Sequence, residues 1–495
     1  MAENVVFGSN ARRCRTIFAE KDEQIGEKFQ TGARPKKIKP PRRLRMSYTQ
    51  TIALGFFLII ALGTFFLLLP ISSRGPKPIS FLSALFTATS ATCVTGLVVC
   101  DTYQTWTIFG QGVILILIQV GGLGFMTIAT QFFLVMRRRI GLRARETLSE
   151  SLNQTHIGGI VRLTKKIILG TLFCEGIGAA LLAIRFIPKL GFGKGLFAAI
   201  FHAVSAFCNA GFDLMGQEEA YASFVSFSAD PLVNITVMLL IIIGGLGFLV
   251  WDDITVYKTH FRRYHLHSKI VLSTTAILIF GGAGLFYLFE AHATGAQMGQ
   301  GERILTAFFS SVTARTAGFN TVDTAALSEA SKLLTILLMF IGAAPGSTGG
   351  GVKVTTITVL LLYATSYARH NRGTEVFGRQ LPDLTLRKAA SVFFTNLLLA
   401  LVAGLIICGV QNLSAIDVLF ETFSAIGTVG MTTGITRELN ALSRGIILFL
   451  MYCGRVGSLS FAMALAEKKR HRRFAHRRKK LPLDKSIQQE KGNGV

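Results

Sequence analysis

The stretch LFTATSATCVTGL, residues 85–97, is repeated three more times along the chain without a gap. The other copies are IFHAVSAFCNAGF (200–212), AFFSSVTARTAGF (307–319) and LFETFSAIGTVGM (419–431). Each copy has a phenylalanine ten residues before its glycine, and three copies have a serine six residues before it. The phenylalanines are Phe86, Phe201, Phe308 and Phe420, and the serines are Ser90, Ser205 and Ser424, with Val312 as the exception. The regularity predicts four copies of one structural unit.

The composition predicts a membrane protein with several spans. Half of the 495 residues are hydrophobic, only 16% are charged and the mean hydropathy is +0.49, which argues against an ordinary soluble enzyme. A bilayer core about 30 Å thick needs roughly 20 apolar residues per helix. Runs of that length predict eight transmembrane helices, near residues 49–70, 107–136, 163–187, 232–257, 269–290, 333–365, 386–410 and 443–466.

Four shorter apolar runs contain the repeated stretch. They lie near residues 79–92, 194–207, 302–314 and 414–426, and each has about a dozen residues, too few to cross the bilayer. We therefore expect half-helices that enter the membrane and return. The predicted fold is an all-α polytopic membrane protein, in which four units of first span, pore half-helix and second span surround a central pore.

The basic residues predict the orientation of the chain. Lys and Arg outnumber Asp and Glu by 52 to 27, and they cluster in the two tails and in the loops 137–145, 258–269 and 368–379. This distribution matches the positive-inside rule and not a nucleic-acid footprint. We expect both termini on the cytoplasmic side of the plasma membrane. The predicted segments are a basic tail (1–47), four units (48–145, 146–262, 263–380 with a broken second span, and 381–466) and a second basic tail (467–495).

The turns after the half-helices predict a site for a monovalent cation. A half-helix directs its partly negative C-terminal end and a run of backbone carbonyls into the membrane. Glycine allows the backbone conformations with positive φ that successive carbonyl rings need. Because the side chains of these turns are chiefly small or neutral, an uncharged ring of oxygens suits potassium better than a divalent ion.

These motifs resemble the Trk/Ktr/HKT superfamily of potassium transporters. The segments SAFCNAGF (205–212), ARTAGFNTVD (314–323) and GSTGGGVK (346–353) are especially similar to its KtrB-type membrane subunits, within a resemblance that covers residues 46–466. The resemblance implies a potassium uptake subunit, and Gly96, where some sodium-preferring plant relatives have serine, implies potassium. It also implies a selectivity filter formed by the backbones of Val94, Thr95, Gly96, Asn209, Ala210, Gly211, Thr316, Ala317, Gly318, Thr428, Val429 and Gly430.

The segment FIGAAPGSTGGGVKVTT, residues 340–356, interrupts an apolar run from residue 333 to 363. As one helix this run would be about 47 Å long, more than the bilayer needs. Non-helical backbone at membrane depth is tolerated where it lines a cavity, so we expect a loop at Gly346–Gly351 beneath the filter. A phosphate loop is not favoured, because the Gly-Lys-Ser/Thr ending is missing. The resemblance implies a gate made of Gly346, Ser347, Thr348, Gly349, Gly350, Gly351, Lys353 and Arg455.

Several charged residues near these motifs have two interpretations. Arg455 lies inside an apolar span, which favours a role in the permeation path over a buried structural pairing. Arg315 is better explained as a brace behind the filter than as an ion contact. Asp213 and Asp323 concentrate cations at the outer mouth or cap loops, with similar weight. Glu175 is a weak candidate for a proton relay.

The expected partners follow from the resemblance. It implies a homodimer in the lipid membrane and a cytosolic, nucleotide-binding KtrA-like regulatory subunit. This chain has no strand-bound GxGxxG motif, so we expect it to bind no cofactor itself. Potassium is the expected transported ion, and sodium as a coupling ion in symport stays open.

Two other classes of function are weighed against this one. An alternating-access secondary carrier would need inverted repeats, whereas the four units run in the same orientation. An enzyme would need a cluster of acids and histidines inside the bilayer, and His202 on a half-helix is better explained by capping or packing.

Overall fold

The computed structural model describes residues 48–75, 78–124, 160–217, 219–370, 375–377 and 379–457. The predictions for the tail 1–47, the basic loop 137–145 and the tail 467–495 lie outside these residues. The helices are α1 (Tyr48–Leu68), α2 (Phe81–Cys93), α3 (Thr102–Thr105), α4 (Ile108–Leu123), α5 (Ile160–Leu190), α6 (Phe192–Phe207), α7 (Pro231–Gly245), α8 (Phe248–Tyr257), α9 (Leu266–Phe289), α10 (Gln300–Thr313), α11 (Glu329–Phe340), α12 (Val354–Ala368), α13 (Asp383–Val410), α14 (Ala415–Gly427) and α15 (Ala441–Val456).

Short elements complete the described part of the chain. Six 3-10 helices lie at Pro70–Ser72, Val225–Phe227, Phe261–Arg263, Glu290–His292, Thr294–Gln297 and Ile435–Arg437. Strands β1 (Glu375–Val376) and β2 (Arg379–Gln380) pair in an antiparallel manner at the end of unit 3. The architecture is therefore all-α in everything that positions the site.

The first span of each unit is a long apolar helix. Helices α1, α5, α9 and α13 are each long and apolar enough to cross a membrane, and α7 with α8 would make a fifth span if the bent pair is counted as one. Large apolar side chains on these helices are exposed, among them Phe57, Phe173 and Leu405. In a membrane protein such a surface faces lipid, so these four helices form the outer layer.

The half-helices α2, α6, α10 and α14 lie inside this layer. Phe86, Phe201 and Phe420 are completely buried, as the repeated pattern suggests. In unit 3 the equivalent buried residue is Phe309, and Phe308 is only partly buried. The gap-free alignment of the four stretches is thus wrong for unit 3, because its half-helix is shifted by one residue relative to the filter glycine.

The second spans are interrupted in more than one unit. In unit 3, helices α11 and α12 are separated by the non-helical segment 341–353, which contains the predicted break at 346–351. In unit 2, α7 and α8 meet at an angle of 97°. The bend falls at Gly247, whose φ of 90° is left-handed. Helices α4 and α15 end beside the equivalent Gly124 and Gly457, with φ of 79° and 92°. From the sequence, only the break in unit 3 is predicted.

Glycines of the second spans allow these helices to approach the half-helices closely. A Cβ atom on Gly121 would overlap the carbonyl oxygen of Thr92, and one on Gly244 would overlap that of Phe207. Gly454 has the same relation to Ile426. Each of these carbonyls lies two residues before a predicted filter segment. The glycines therefore allow the second spans to pack directly against the backbone that precedes the filter.

A candidate cation pathway

The four turns share one backbone conformation. The first residue of each turn has a positive φ, at 56° for Val94, 58° for Asn209, 82° for Thr316 and 52° for Thr428. The third residue is the repeated glycine, with φ between 69° and 94°. Three of the first residues are β-branched, a type that rarely adopts positive φ, so the surrounding structure must impose this conformation. An alternation of φ sign is what directs successive carbonyls to one side of the chain.

The turns close into a ring through contacts between neighbouring units. A Cβ atom on Gly96 would lie 2.5 Å from the carbonyl oxygen of Ala210, and one on Gly211 would lie 2.6 Å from that of Ala317. In the same way Gly318 abuts the carbonyl oxygen of Val429, and Gly430 abuts that of Thr95. The order is therefore unit 1 to 2 to 3 to 4 and back to 1. In this chain a Cβ atom at any of these four positions would press on the backbone of the next unit.

Hydroxyl groups from the half-helices hold the turns in place. Ser90 and Ser424 accept hydrogen bonds from the backbone N–H of Gly96 and Gly430, at 3.0 and 3.1 Å. Ser205 donates to the carbonyl of Phe212 at 2.8 Å. In unit 3 the Thr313 hydroxyl donates to the carbonyl of Phe319 at 2.6 Å. Thr313 supplies the function for which the sequence analysis found only Val312, and a search one residue further along would have found it.

A cavity of about 280 Å³ opens on one side of the ring. All four glycines of the ring line it, together with Asp213 and Asp323, on the side where the sequence analysis expects the outer mouth. Arg437 stacks on Tyr221 with its guanidinium carbon 3.7 Å from the ring centre, and the Tyr221 N–H donates to Asp101 at 2.8 Å. The lining therefore carries charges of both signs, from Asp101, Asp213, Asp323 and Arg437.

Asp213 and Asp323 line this cavity and also cap their loops. The Asp213 carboxylate accepts from the N–H of Met215, and that of Asp323 accepts from the N–H of Ala325, both at 3.0 Å. Burial raises the pKa of the Asp213 carboxyl to about 7, since the opposing hydrogen bond from Met215 is outweighed and nearby Asp101 adds to the shift. The charge of Asp213 is consequently present above pH 7 and lost below it.

We expect potassium uptake at subsaturating potassium to be lower at pH 6 than at pH 8, by roughly two- to fivefold. The reason is that protonation of Asp213 removes a negative charge that concentrates cations beside the ring. In Asp213→Asn the two rates should be equal, whereas Asp323→Asn should keep the dependence. A full pH dependence in Asp213→Asn would show that the carboxyl only caps its loop.

The segment 341–353 passes along the other side of the ring. A Cβ atom on Gly349 would overlap the side chain of Thr316, and one on Gly350 would overlap that of Thr428. Gly351 has a φ of 67° and lies against the backbone of Gly427. Gly349 and Gly350 thus pass directly beside the first residues of two turns, and Gly351 beside the residue before one of them. Larger residues would press on the ring itself.

Thr348 connects this segment to two other units. Its N–H donates to the carbonyl of Gly244 at 3.2 Å, and its hydroxyl donates to that of Phe207 at 3.1 Å. Its own carbonyl accepts from the guanidinium of Arg455. Gly244 and Phe207 belong to unit 2, while Arg455 belongs to unit 4.

Arg455 connects the segment to unit 1 as well. Its second nitrogen donates to the carbonyls of Gly121, by a short contact, and of Gly122 at 3.0 Å. No carboxylate partner is recorded for Arg455 among the described residues, so the charge is satisfied by carbonyl dipoles. Lys353 behaves similarly, because its ammonium donates to the carbonyls of Gly349 at 2.7 Å and Gly350 at 3.3 Å. Two cations therefore stabilise the segment beside the ring.

The comparison with known families identifies the class of this chain. A family model described as TrkH, cation transport protein, matches residues 31–474. The chain belongs to the TrkH family. The resemblance seen in the repeated motifs is thereby confirmed.

Relatives support the same family, and a solved structure shares the fold. The potassium/sodium uptake protein NtpJ of Enterococcus hirae is 41% identical over 431 residues, which cover 86% of this chain and 94% of the relative. The Ktr system potassium uptake protein B of Bacillus subtilis is 40% identical over 433 residues, 87% and 96% of the two chains. The crystal structure of the potassium transporter TrkH from Vibrio parahaemolyticus aligns with a TM-score of 0.66 at 18% identity, over 86% of each chain. The TrkH fold confirms the predicted polytopic architecture.

Other singled-out residues of this TrkH-family chain have their side-chain contacts outside the ring. Arg315 is buried and approaches the hydroxyl of Thr275 on α9, at 3.4 Å, in keeping with a brace. Glu175 is buried and accepts from Gln119 at 3.2 Å, between units 1 and 2. His202 approaches the carbonyl of Ala198 through Nδ1 at 2.7 Å, while its Nε2 accepts from the N–H of Leu214 at 3.1 Å. His202 therefore packs within the protein and caps the backbone N–H of Leu214.

One buried acid that supports the pathway was missed by the sequence analysis. Glu421 on α14 accepts from the hydroxyl of Thr432 and, at 2.5 Å, from that of Thr436. These threonines lie in the loop that follows Gly430, so Glu421 stabilises the loop directly after the fourth turn. An acid inside an otherwise apolar half-helix was the available signal, because a buried carboxylate needs partners.

Proposed function

We propose that this chain is the potassium-translocating subunit of a Ktr/Trk-type uptake system, and that the ion passes through the ring formed by the four turns. The observation that carries the proposal is the closed cycle of backbone contacts from Gly96 through Gly211 and Gly318 to Gly430. Four turns with one conformation give a narrow, oxygen-lined passage between the outer cavity and the segment 341–353. Such a passage replaces the hydration shell of an ion.

The chemistry of the ring favours potassium over a divalent ion. The twelve proposed filter residues, from Val94–Gly96, Asn209–Gly211, Thr316–Gly318 and Thr428–Gly430, carry no charged side chain. Carbonyl oxygens without carboxylates suit the monovalent cation that loses its water most readily. The curated relatives, named as potassium uptake proteins and as a potassium/sodium uptake protein, support the same choice.

The segment 341–353 is proposed as the gate. Its glycines lie against Thr316, Thr428 and Gly427, on the side of the ring opposite the outer cavity, and an ion leaving the ring must pass them. Arg455 and Lys353 hold the segment there and place positive charge on the path. Potassium is repelled by these charges as long as the segment stays.

Partners and coupling complete the proposal. A homodimer in the plasma membrane, with both termini in the cytoplasm and a nucleotide-binding KtrA-like subunit on the inner face, would explain how the gate is controlled. Sodium as a symported ion is compatible with the Enterococcus relative, a potassium/sodium uptake protein.

Growth of a potassium-uptake-deficient bacterium tests the proposed function. We expect the chain, expressed with its cytosolic partner, to restore growth at low potassium. Gly96→Ser should abolish or strongly weaken that rescue, because a Cβ at φ 93° is strained and would overlap the Ala210 carbonyl. Absence of rescue by well-expressed wild-type protein would contradict the assignment.

A further inference from the structure

Helix α8 forms a surface that turns away from the axis of its span. After Gly247 the chain bends by 97°, so α8 runs nearly across the direction of α7. It is followed by the 3-10 helix Phe261–Arg263 and then by α9, the first span of unit 3. A helix at this angle to a span runs roughly parallel to the membrane plane, here on the side of the ring where the segment 341–353 lies.

Residues 256–263, from the end of α8 and the loop after it, form a surface that is basic and apolar at once, while the acids of α8 itself, Asp252 and Asp253, pair with Lys166 and His265. Val256 is 57% exposed and Phe261 is 42% exposed. Beside them Lys258, Arg262 and Arg263 are exposed, and no ion pair is recorded for these three among the described residues. We call these five residues the α8 surface. Exposed apolar groups interleaved with cations are typical of a segment that lies among anionic lipid headgroups.

Hydrogen bonds hold the backbone that carries these basic residues in place. The ammonium of Lys269 donates to the carbonyl of Arg262 at 2.8 Å, and the hydroxyl of Tyr264 donates to that of Lys258. Asp253 accepts from the N–H of His265 at 3.0 Å and from the hydroxyl of Ser268 at 2.6 Å. The loop between α8 and α9 is therefore ordered by its own contacts.

The same helix is connected directly to the proposed gate. The N–H of Phe248, the first residue of α8, donates to the carbonyl of Gly346 at 2.9 Å. The N–H of Ala344 donates to the carbonyl of Gly245, just before the bend, at 3.0 Å. Val250 and Ala344 pack in one apolar cluster. The segment 341–353 cannot leave the ring without breaking these contacts or moving α8 with it.

We propose that anionic lipid headgroups bind the α8 surface and thereby hold the gate closed. The argument rests on the proposed function of the segment 341–353 as the gate. In the present structure the bent α8 and the segment beside the ring occur together, so a ligand that favours this position of α8 favours the closed state. A ligand shifts such an equilibrium by its difference in affinity between the two states. The bilayer acts as a brake that the regulatory partner overcomes.

Flux in vesicles of defined composition tests this brake. The full-length chain is reconstituted in phosphatidylcholine alone and in an equal mixture of phosphatidylcholine and phosphatidylglycerol, and potassium flux is measured. Each basic side chain near an anionic surface corresponds to about a fivefold change in population. We expect wild-type flux to be lower in the anionic vesicles, by up to about 25-fold for the two arginines Arg262 and Arg263. Arg262→Gln with Arg263→Gln should lose most of the difference.

A second pair of basic residues provides the control. Arg387 and Lys388, exposed near the start of α13, carry the same charge but have no recorded contact with the gate segment. Arg387→Gln with Lys388→Gln should retain the wild-type lipid dependence. Equal flux of wild type in both vesicles, or the same loss in both double variants, would overturn the brake. Absence of potassium flux from every protein in every vesicle would instead contradict the proposed function.

Discussion

Gly430→Ala is expected to reduce potassium flux by at least about 100-fold while leaving the protein folded in the membrane. Gly430 has a φ of 94°, and an added Cβ would overlap the carbonyl oxygen of Thr95 in the neighbouring unit. Backbone atoms have little room to yield, so the ring must open or distort at this point. The measurement is potassium flux into vesicles that contain matched amounts of purified protein.

Gly434→Ala is the matched control for this substitution. Gly434 also has a left-handed φ, of 104°, but no atom lies within 4 Å of the position where its Cβ would be. The two substitutions share the backbone strain and differ in the contact with the ring. We expect Gly434→Ala to keep flux within a few-fold of wild type. Equal losses in the two variants would show that contact across the ring is not what matters.

Arg455→Gln is expected to raise potassium flux by about tenfold or more, with little change in the preference for potassium over sodium. The guanidinium donates to carbonyls of Thr348, Gly121 and Gly122, and so joins the gate segment to units 1 and 4. Glutamine is too short to make all three contacts and carries no charge. The closed state is weakened and the positive charge leaves the path, while the ring keeps its oxygens.

Arg444→Gln tests whether the location of the charge matters. Arg444 lies on the same helix, α15, and donates to the carbonyl of Arg437 at 2.8 Å, on the side of the outer mouth. We expect its loss to leave the gate unaffected. Wild-type flux in Arg455→Gln, together with reduced amounts of folded protein, would indicate that Arg455 is a structural residue only.

The repeated unit could be predicted from the sequence because its signal is redundant. Four stretches with a glycine at the same place define the units, and glycine at positive φ is a requirement that few residues can meet. Hydropathy then predicts the first span of each unit, since the long apolar helices α1, α5, α9 and α13 expose much of their surface to lipid. These features depend on local chemistry, which a sequence displays directly.

The bend at Gly247 and the shift in unit 3 could not be predicted in the same way. Gly247 lies in an apolar run that hydropathy treats as one helix, because hydropathy does not report backbone direction. In unit 3 the pattern suggested Phe308 and Val312, yet Phe309 is buried and Thr313 donates the hydrogen bond. A one-residue change in a turn is compatible with the same spacing of glycines, so only packing distinguishes the two registers.

The contacts between units are the feature that the sequence predicts least. Thr348 donates to carbonyls of Gly244 and Phe207, which are more than 100 residues away in the chain. Backbone acceptors have no residue-type signature, so no motif could identify them. The glycines at 349–351 were recognisable, but their role as close contacts of Thr316 and Thr428 was not.

Ion preference in reconstituted vesicles tests the central claim most directly. Wild type and Arg455→Gln are placed in vesicles, and the fluxes of potassium and sodium down equal gradients are compared. If ions pass through the ring of the four turns, both proteins should carry potassium roughly tenfold or more faster than sodium, with the variant faster overall. Equal fluxes of the two ions, or no potassium flux from either folded protein, would contradict the account.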